Sequence, residues 1–303
     1  MNIVIAGGTG FIGRALTEAL VARGDKPTLL TRDPEAAEAR WGARAALAFW
    51  DGRNPDDWPE TLDGADAVVN LAGAGIASGR WTPARKLLLI KSRLDSTRAL
   101  VSAISRAEKR PKVFVSASAV GYYGQAPDGP VVENSPQGRD FLASLCGQWE
   151  REALAAEPLG VRVVLPRFGV VLGKRGGALP RMALPFKLLL GGRLGSGKQG
   201  FPWIHIGDAV DALLFALDRD ALSGPVNFAA PGAADNREFS AALGRALGRP
   251  SWAPVPAFAL KLALGEMAGM LLGGQFAKPK KLLDAGYKFK YETPGAALAA
   301  IYR

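Results

Sequence analysis

The sequence predicts an α/β protein, a doubly wound parallel sheet followed by a smaller C-terminal α/β lobe, and three observations carry this reading. The chain opens on an apolar run, Asn2 to Ala6, followed at once by glycines in the pattern G-x-x-G-x-x-G from Gly7 to Gly13. A helical repeat then starts, with Ala15, Leu16, Ala19 and Leu20 on one face. Beyond it, short apolar runs alternate with helical stretches, the pattern of βαβ units with right-handed crossovers.

The first junction is an anion site. Backbone N–H groups at a helix start lack intrahelical acceptors and carry the positive end of the macrodipole, and a glycine lets a pyrophosphate approach the main chain. Gly7, Thr9, Gly10, Phe11, Ile12 and Gly13 are therefore expected to take the pyrophosphate of a dinucleotide. The second strand, Pro27 to Thr31, leaves through Thr31-Arg32-Asp33-Pro34. An arginine at this tip accommodates a ribose 2′-phosphate, whereas an acidic residue would hold the 2′-hydroxyl. Arg32 thus points to NADP, and Asp33 beside it keeps NAD in view.

Ala46 to Trp50 is a third strand ending at Asp51, expected at the adenine edge, and Ala67 to Leu71 is a fourth. The small residues that follow, with Leu71, Ala72 and Gly73 expected at the inner ribose, let a flat cofactor lie close to the sheet. A helical stretch from Ala84 to Ser105 carries Lys86, Lys91, Arg93 and Arg98, and leads to a fifth strand at Val113 to Val115. Ligands are expected outside the carboxyl ends of these strands.

Composition narrows the function. The chain has 303 residues, 48% hydrophobic and 22% charged, enough for a substantial core. Lys and Arg number 38 against 28 Asp and Glu, a net charge of +10 without a dense block, which fits an anionic cofactor better than nucleic acid. One cysteine, Cys146, excludes an internal disulfide and a cysteine-rich zinc site, and one histidine, His205, argues against a histidine metal site or a Ser-His-Asp triad. No metal is expected. Met1 opens almost directly onto a strand with no signal-peptide pattern, and the apolar stretch Ala257 to Gly274 is broken by Lys261 and Glu266. The expectation is a cytoplasmic protein without membrane contact.

Strand five runs into Ser116-Ala117-Ser118-Ala119-Val120-Gly121-Tyr122-Tyr123-Gly124. Together with Gly7 to Gly13 and Asn70-Leu71-Ala72-Gly73, this stretch resembles the extended short-chain dehydrogenase/reductase superfamily, which includes nucleotide-sugar epimerases. Arg167 to Gly173 is similar to the strand and turn after which that superfamily's substrate lobe begins, and Trp203 to Asp208 to its return segment. Gly191 to Gln199 and Leu145 to Glu150 narrow the likeness to an atypical branch of epimerase family proteins of uncharacterised activity. The resemblance implies a Rossmann domain over residues 1–165, with 203–230 returning to it, and a substrate lobe made of 166–202 and 231–303.

It also implies chemistry. Superfamily members transfer a hydride at the nicotinamide with a serine and a Tyr-x-x-x-Lys pair. Ser118 matches the serine, but Leu142 and Cys146 fall at the tyrosine and lysine positions. Tyr122 or Tyr123 is then the expected proton donor, with Ser118 polarising a carbonyl; the competing reading is that these tyrosines pack in the cleft or orient the nicotinamide. Two functions follow. One is an NADP-dependent oxidoreductase or epimerase acting on a small anionic or carbonyl-bearing molecule, as a monomer or homodimer. The other is a non-catalytic NADP(H)-binding sensor or partner protein.

The remaining elements complete the chain. Cys146 lies in a helix from Phe141 to Ala155, where a buried, inert thiol is expected. Gly192 to Lys198 reads G-x-x-x-x-G-K, but Gln199 replaces the Ser or Thr of a phosphate loop and Phe201-Pro202 replace its helix. A lid or anion contact through Arg193 and Lys198 is expected instead. His205, in the run Trp203 to Ile206, is expected as a core or hinge histidine, and Asp208 as the cap of a helix from Ala209 to Leu217. A strand at Val226 to Phe228 precedes a helix from Asn236 to Leu247 that Asn236 is expected to cap. Helices at Leu260 to Leu272 and Pro279 to Ala285, and a closing segment at Gly286 to Tyr291, belong to the companion lobe.

Overall fold

The computed structural model describes residues 1–54, 56, 58–125 and 129–303. The chain begins with β1 (Asn2–Ala6), α1 (Phe11–Arg23), β2 (Lys26–Thr31), α2 (Pro34–Trp41) and β3 (Ala46–Phe49). A single turn, α3 (Pro59–Leu62), leads to β4 (Ala67–Asn70), the long α4 (Pro83–Arg106) and β5 (Val113–Ser116). Next come β6 (Ser118–Ala119), a 3-10 turn (Val120–Tyr123), β7 (Pro130–Val131), α5 (Phe141–Leu154) and β8 (Arg162–Phe168). Then follow β9 (Val170–Gly173), β10 (Gly176–Gly177), α6 (Leu179–Lys187), β11 (Trp203–His205), α7 (Ile206–Asp218) and β12 (Gly224–Phe228). The chain closes with α8 (Asn236–Leu247), α9 (Ala257–Leu264), α10 (Ala268–Leu272), β13 (Phe276–Ala277), α11 (Lys280–Asp284) and α12 (Pro294–Tyr302).

The main sheet runs β12-β8-β5-β4-β1-β2-β3, parallel throughout, with β6 also pairing with β8. β1 lies between β2 and β4, so the connections reverse direction there and open a crevice at the strands' carboxyl ends. Alternation along β1 decides its two faces. Ile3 and Ile5 join one apolar layer with Leu16, Leu20 and Leu213, while Val4 and Ala6 join the other with Leu100, Ile104 and Phe114. Each such aliphatic side chain, fully buried, contributes about 1.5–3 kcal/mol.

A three-stranded sheet, β10-β9-β11, continues from the main one, and β13 pairs with β7. Of the segment 203–230, β12 lies in the main sheet, whereas β11 pairs in parallel with β9. A separate core gathers Phe186 of α6, Trp203 of β11, Phe239 and Leu243 of α8, and Leu298 and Ile301 of α12. Among the described residues no helix is long and apolar enough to cross a membrane.

Three expectations at helix ends are corrected. α7 starts at Ile206, three residues earlier than predicted, and His205 caps it by accepting from the Gly207 N–H through Nδ1 at 3.0 Å. Asp208 is not the cap. Its buried carboxylate accepts from the N–H groups of Lys290 at 2.7 Å and Tyr291 at 3.0 Å, tying the closing segment to α7. α8 is capped by Asp235, which exchanges hydrogen bonds with Glu238 in a capping box, while Asn236 Oδ1 accepts from the Leu194 N–H at 2.7 Å. The helix predicted over Leu260 to Leu272 is interrupted: Gly265, at φ +61°, ends α9, and a 3-10 turn over Gly265–Met267 precedes α10.

Candidate functional site

The glycine turn sits at the carboxyl end of β1, where its backbone is packed too tightly for side chains. Gly7 has φ +79°, and a Cβ on it would stand 2.7 Å from the Leu71 carbonyl carbon. A Cβ on Gly13 would stand 2.2 Å from Gly7 O, so this glycine lets α1 pack directly on the turn. Gly10 differs. It caps α1 without a side-chain bond, and a Cβ there would meet only Gly7 O, at 3.1 Å. The outer face of Gly10 is therefore open, beside the N–H groups of Phe11, Ile12 and Gly13 that have no intrahelical acceptor. Thr9 is half-buried at the apex of the turn.

Phe11 adds a contact that periodicity does not reveal. Its ring lies on a bed of glycines from the small sheet: added Cβ atoms would approach it to 2.7 Å from Gly173, 2.3 Å from Gly176 and 2.9 Å from Gly177. The first residue of α1 thus locks the turn to the β9–β10 hairpin.

Arg32 is exposed at the end of β2 and has no hydrogen-bond or ion-pair partner among the described residues. Asp33 has one. It caps α2, accepting from the Ala36 N–H at 2.9 Å, so the acidic residue of this tip is engaged while the basic one is free. Asp51 is exposed beyond β3. Its Oδ1 accepts from Asn54 N–H at 2.8 Å and Arg53 N–H at 2.7 Å, and these donors hold its carboxyl below the usual range.

The exit of β4 is built on Asn70. Its buried amide donates to Thr97 Oγ1 and Ser116 Oγ, and its Oδ1 accepts from the Ala72 N–H at 3.1 Å. This fixes the course of Leu71, Ala72 and Gly73 over the sheet edge beside Gly7.

Ser118, Tyr122 and Tyr123 are brought to one place but into different surroundings. Ser118 is buried, and its hydroxyl donates to Glu150 Oε1 at 2.6 Å. Glu150 also receives Arg167 in a two-point pair, Nε to Oε1 and Nη2 to Oε2, both at 2.8 Å. Arg167 Nη1 then donates to the Tyr123 hydroxyl at 3.0 Å and to Glu133 O, while Tyr123 donates to Asn227 Oδ1 at 2.7 Å. Burial opposes the charge on Arg167, but the Glu150 carboxylate outweighs it and holds the guanidinium above its ordinary pKa. Tyr122 stands apart. Its ring stacks under the Arg167 guanidinium at 3.5 Å, it is half-buried, and its hydroxyl has no partner among the described residues.

A model of the NAD dependent epimerase/dehydratase family matches residues 3–229. The chain belongs to this family. A second model, a domain of unknown function (DUF1731), matches residues 255–301. An Arabidopsis thaliana relative, "Epimerase family protein SDR39U1 homolog, chloroplastic", is 44% identical over 99% of this chain and 86% of its own length. Epimerase family protein YfhF of Bacillus subtilis is 38% identical over 99% and 98%. The crystal structure of human epimerase family protein SDR39U1 (isoform2) with NADPH superposes with a TM-score of 0.88 at 38% identity, covering 100% of this chain and 99% of that one.

Within an epimerase-family fold, the face of α5 that was expected to lack the Tyr-x-x-x-Lys pair is filled by packing. A Cβ on Gly121 would lie 3.3 Å from Leu142 Cβ and 3.8 Å from Cys146 Sγ, so the 3-10 turn lies flat against these two residues. Burial first, and then the Glu150 carboxylate, push the Cys146 thiol up to about 12. A neutral buried thiol is no nucleophile.

Several site residues escaped the sequence. Arg167 sits in the apolar run of β8, where a buried charge is the signal that it needs a partner, whereas Glu150 stands among Gln148, Arg151 and Glu152 in α5 and gives no such signal. Glu133 and Asn227 gave none, because their contacts with Lys281 and Tyr123 span long sequence separations. Of the basic loop, Arg193 Nη1 donates to Ser196 O at 2.7 Å, and the Leu194 bridge to Val255 anchors the loop on the companion lobe. Among the described residues no group of three or more His, Cys, Asp or Glu is placed to hold a metal.

Proposed function

We propose that this protein binds NADP(H) at the glycine turn and uses it to transfer a hydride to or from a small anionic or carbonyl-bearing molecule in the crevice above the sheet. The observation that carries the reading is the cradle at Gly7, Gly10 and Gly13, where backbone contacts exclude side chains at Gly7 and Gly13 and the open face of Gly10 meets unpaired helix N–H groups. Free Arg32 suits the 2′-phosphate, and the NADPH held by the human relative supports the same cofactor. Phe11, Ile12 and Thr9 complete the pyrophosphate turn, Asp51 takes the adenine edge, and Leu71, Ala72 and Gly73 take the inner ribose. When bound, the nicotinamide supplies the hydride.

The chain's own residues supply the proton. Among the expected trio, Ser118 and Tyr123 have hydroxyls committed to Glu150 and Asn227, and Tyr122 alone has a free one. Tyr122 is therefore assigned as proton donor to a carbonyl oxygen, with Ser118 and Tyr123 acting as positioning residues through Glu150 and Arg167. A screen of carbonyl compounds for NADPH oxidation tests this. A substrate whose turnover falls at least about a hundredfold in Tyr122→Phe, with NADPH affinity unchanged, fits general acid catalysis. Unaltered turnover removes Tyr122 from the mechanism.

A second reading has its own observation. Both Ser118 and Tyr123 are sealed in a buried network, and Leu142 and Cys146 fill the face of α5 beside them. A sensor or partner protein that holds NADP(H) without turnover would need no more than the cradle. In that case NADPH binds and no compound is reduced.

A further inference from the structure

The loop leaving β4 is held by two cations of α4 that have no counter-charge among the described residues. Arg93 of α4 lies against the loop leaving β4, with its guanidinium carbon 3.3 Å from where a Cβ on Gly73 would stand. Its Nη2 donates to Ala74 O and its Nη1 to Leu89 O, both at 3.1 Å, and it stacks on Trp149 at 5.1 Å. Arg85, two turns earlier, donates to Gly75 O at 2.5 Å, while its buried Nε has no hydrogen-bond partner among the described residues. Neither arginine has a carboxylate within ion-pair distance among the described residues. By contrast Arg98 and Arg106 of the same helix pair with Glu152 and Asp56.

The balance of charge is unfavourable as it stands. Neutral carbonyls compensate a desolvated cation poorly, and burial together with the like charge of Arg85 pulls the Arg93 pKa down. Planar guanidiniums with donors to spare, one of them held flat on an indole, suit two-point recognition of a carboxylate or phosphate. The absence of a side chain at Gly73 lets the Arg93 guanidinium lie against the loop, and Ser78 Oγ lies 2.6 Å from where a Cβ on Gly75 would stand.

We propose that Arg85 and Arg93 form a second anion site, next to the dinucleotide turn, which takes a carboxylate or phosphate group of the substrate. The proposal rests on the reading of the crevice given above and narrows its substrate class to anions.

Inorganic phosphate and malonate serve as probes, titrated calorimetrically into the full chain with and without saturating NADPH, at an ionic strength held constant with sodium chloride. Both anions should bind, with and without NADPH. Arg85→Gln and Arg93→Gln should each weaken them about tenfold or more, as expected for a charge-assisted hydrogen bond. Arg98→Gln, which removes a paired charge from the same helix, should leave them unchanged, and NADPH affinity should be the same in all three. Arg85→Lys and Arg93→Lys keep the charge and the fold and should give intermediate losses. Anion binding that is absent, or that survives both glutamine variants, overturns the proposal. So does a parallel loss of NADPH affinity, or competition between NADPH and the probes, since either assigns the pair to the cofactor. If NADPH fails to bind, the proposed function falls while the anion titration still decides this site.

Discussion

The Ser118 hydroxyl donates to Glu150 Oε1 at 2.6 Å inside the protein, turning the residue expected to match the superfamily's serine toward a buried carboxylate. The hydroxyls of Ser118 and Tyr123 are thereby tied to the Glu150–Arg167 pair, whereas Tyr122 meets Arg167 through its ring alone. This division predicts a stability series. Glu150→Gln leaves Arg167 buried beside a neutral partner and should cost about 3–5 kcal/mol. Ser118→Ala and Tyr123→Phe each remove one arm of the network and should cost about 1–3 kcal/mol, whereas Tyr122→Phe should stay within about 0.5 kcal/mol. Urea unfolding of the four variants checks the order, and a Tyr122→Phe as damaging as Tyr123→Phe would contradict it.

Gly13 should tolerate no side chain. An alanine Cβ would be 2.2 Å from Gly7 O and 2.7 Å from Gly8 Cα, and both are backbone atoms that no rotamer change can move aside. Gly13→Ala is expected to lower stability by about 1–3 kcal/mol, typical of overpacking, and to weaken NADPH binding further by displacing the turn. Thermal unfolding with and without NADPH separates the two effects.

How much of this was legible in the sequence depends on how far apart the interacting residues lie. The glycine turn, β1 and the alternating strands were legible because each signal is local: an apolar run, a glycine spacing, a helical repeat. The capping residues were not, because polar neighbours compete for one position. His205 and Asp208 both stand near the start of α7, and only the approach of Lys290 and Tyr291 decides that the aspartate serves them. The glycine bed under Phe11 was hidden for the same reason, its contacts coming from residues more than 160 positions away. Ser118 was expected to match the superfamily's serine, but nothing local indicates that its hydroxyl turns inward to Glu150.

Cys146 should behave as an inert thiol. With burial raising its pKa to about 12, it is protonated at pH 8, and native protein should react with a thiol reagent only as fast as the fold opens. Reaction that is immediate in native protein, and as fast as in urea, would be inconsistent with the burial.

His205 should make the protein less stable in acid. Burial, followed by the charge of Lys290, lowers its pKa below the ordinary 6.5, with Asp211 opposing. Below that ordinary value the unfolded state binds the proton more readily than the folded one, so stability is lost as pH falls from about 6.5 through the depressed folded value. Protonation also removes the acceptor that Nδ1 offers to the Gly207 N–H. Asp208 and Asp211 lie close by and their pKa values are raised by burial, which acts in the opposite sense, so the comparison is made against His205→Asn. Asparagine keeps a cap without titrating, and its unfolding free energy should fall less than that of the parent between pH 7 and pH 5. Identical slopes would remove His205 from the pH response.

The account centres on a cofactor seated on the glycine turn with its 2′-phosphate against Arg32, and parallel titrations of NADPH and NADH into the parent protein and Arg32→Ala test it most directly. NADPH should bind the parent about ten- to a hundredfold more tightly than NADH, since a guanidinium pairs with a phosphate in a way the 2′-hydroxyl cannot reproduce. In Arg32→Ala the two affinities should converge, with NADH binding little changed. Equal affinities in the parent, or a preference for NADPH that survives the loss of Arg32, would contradict it.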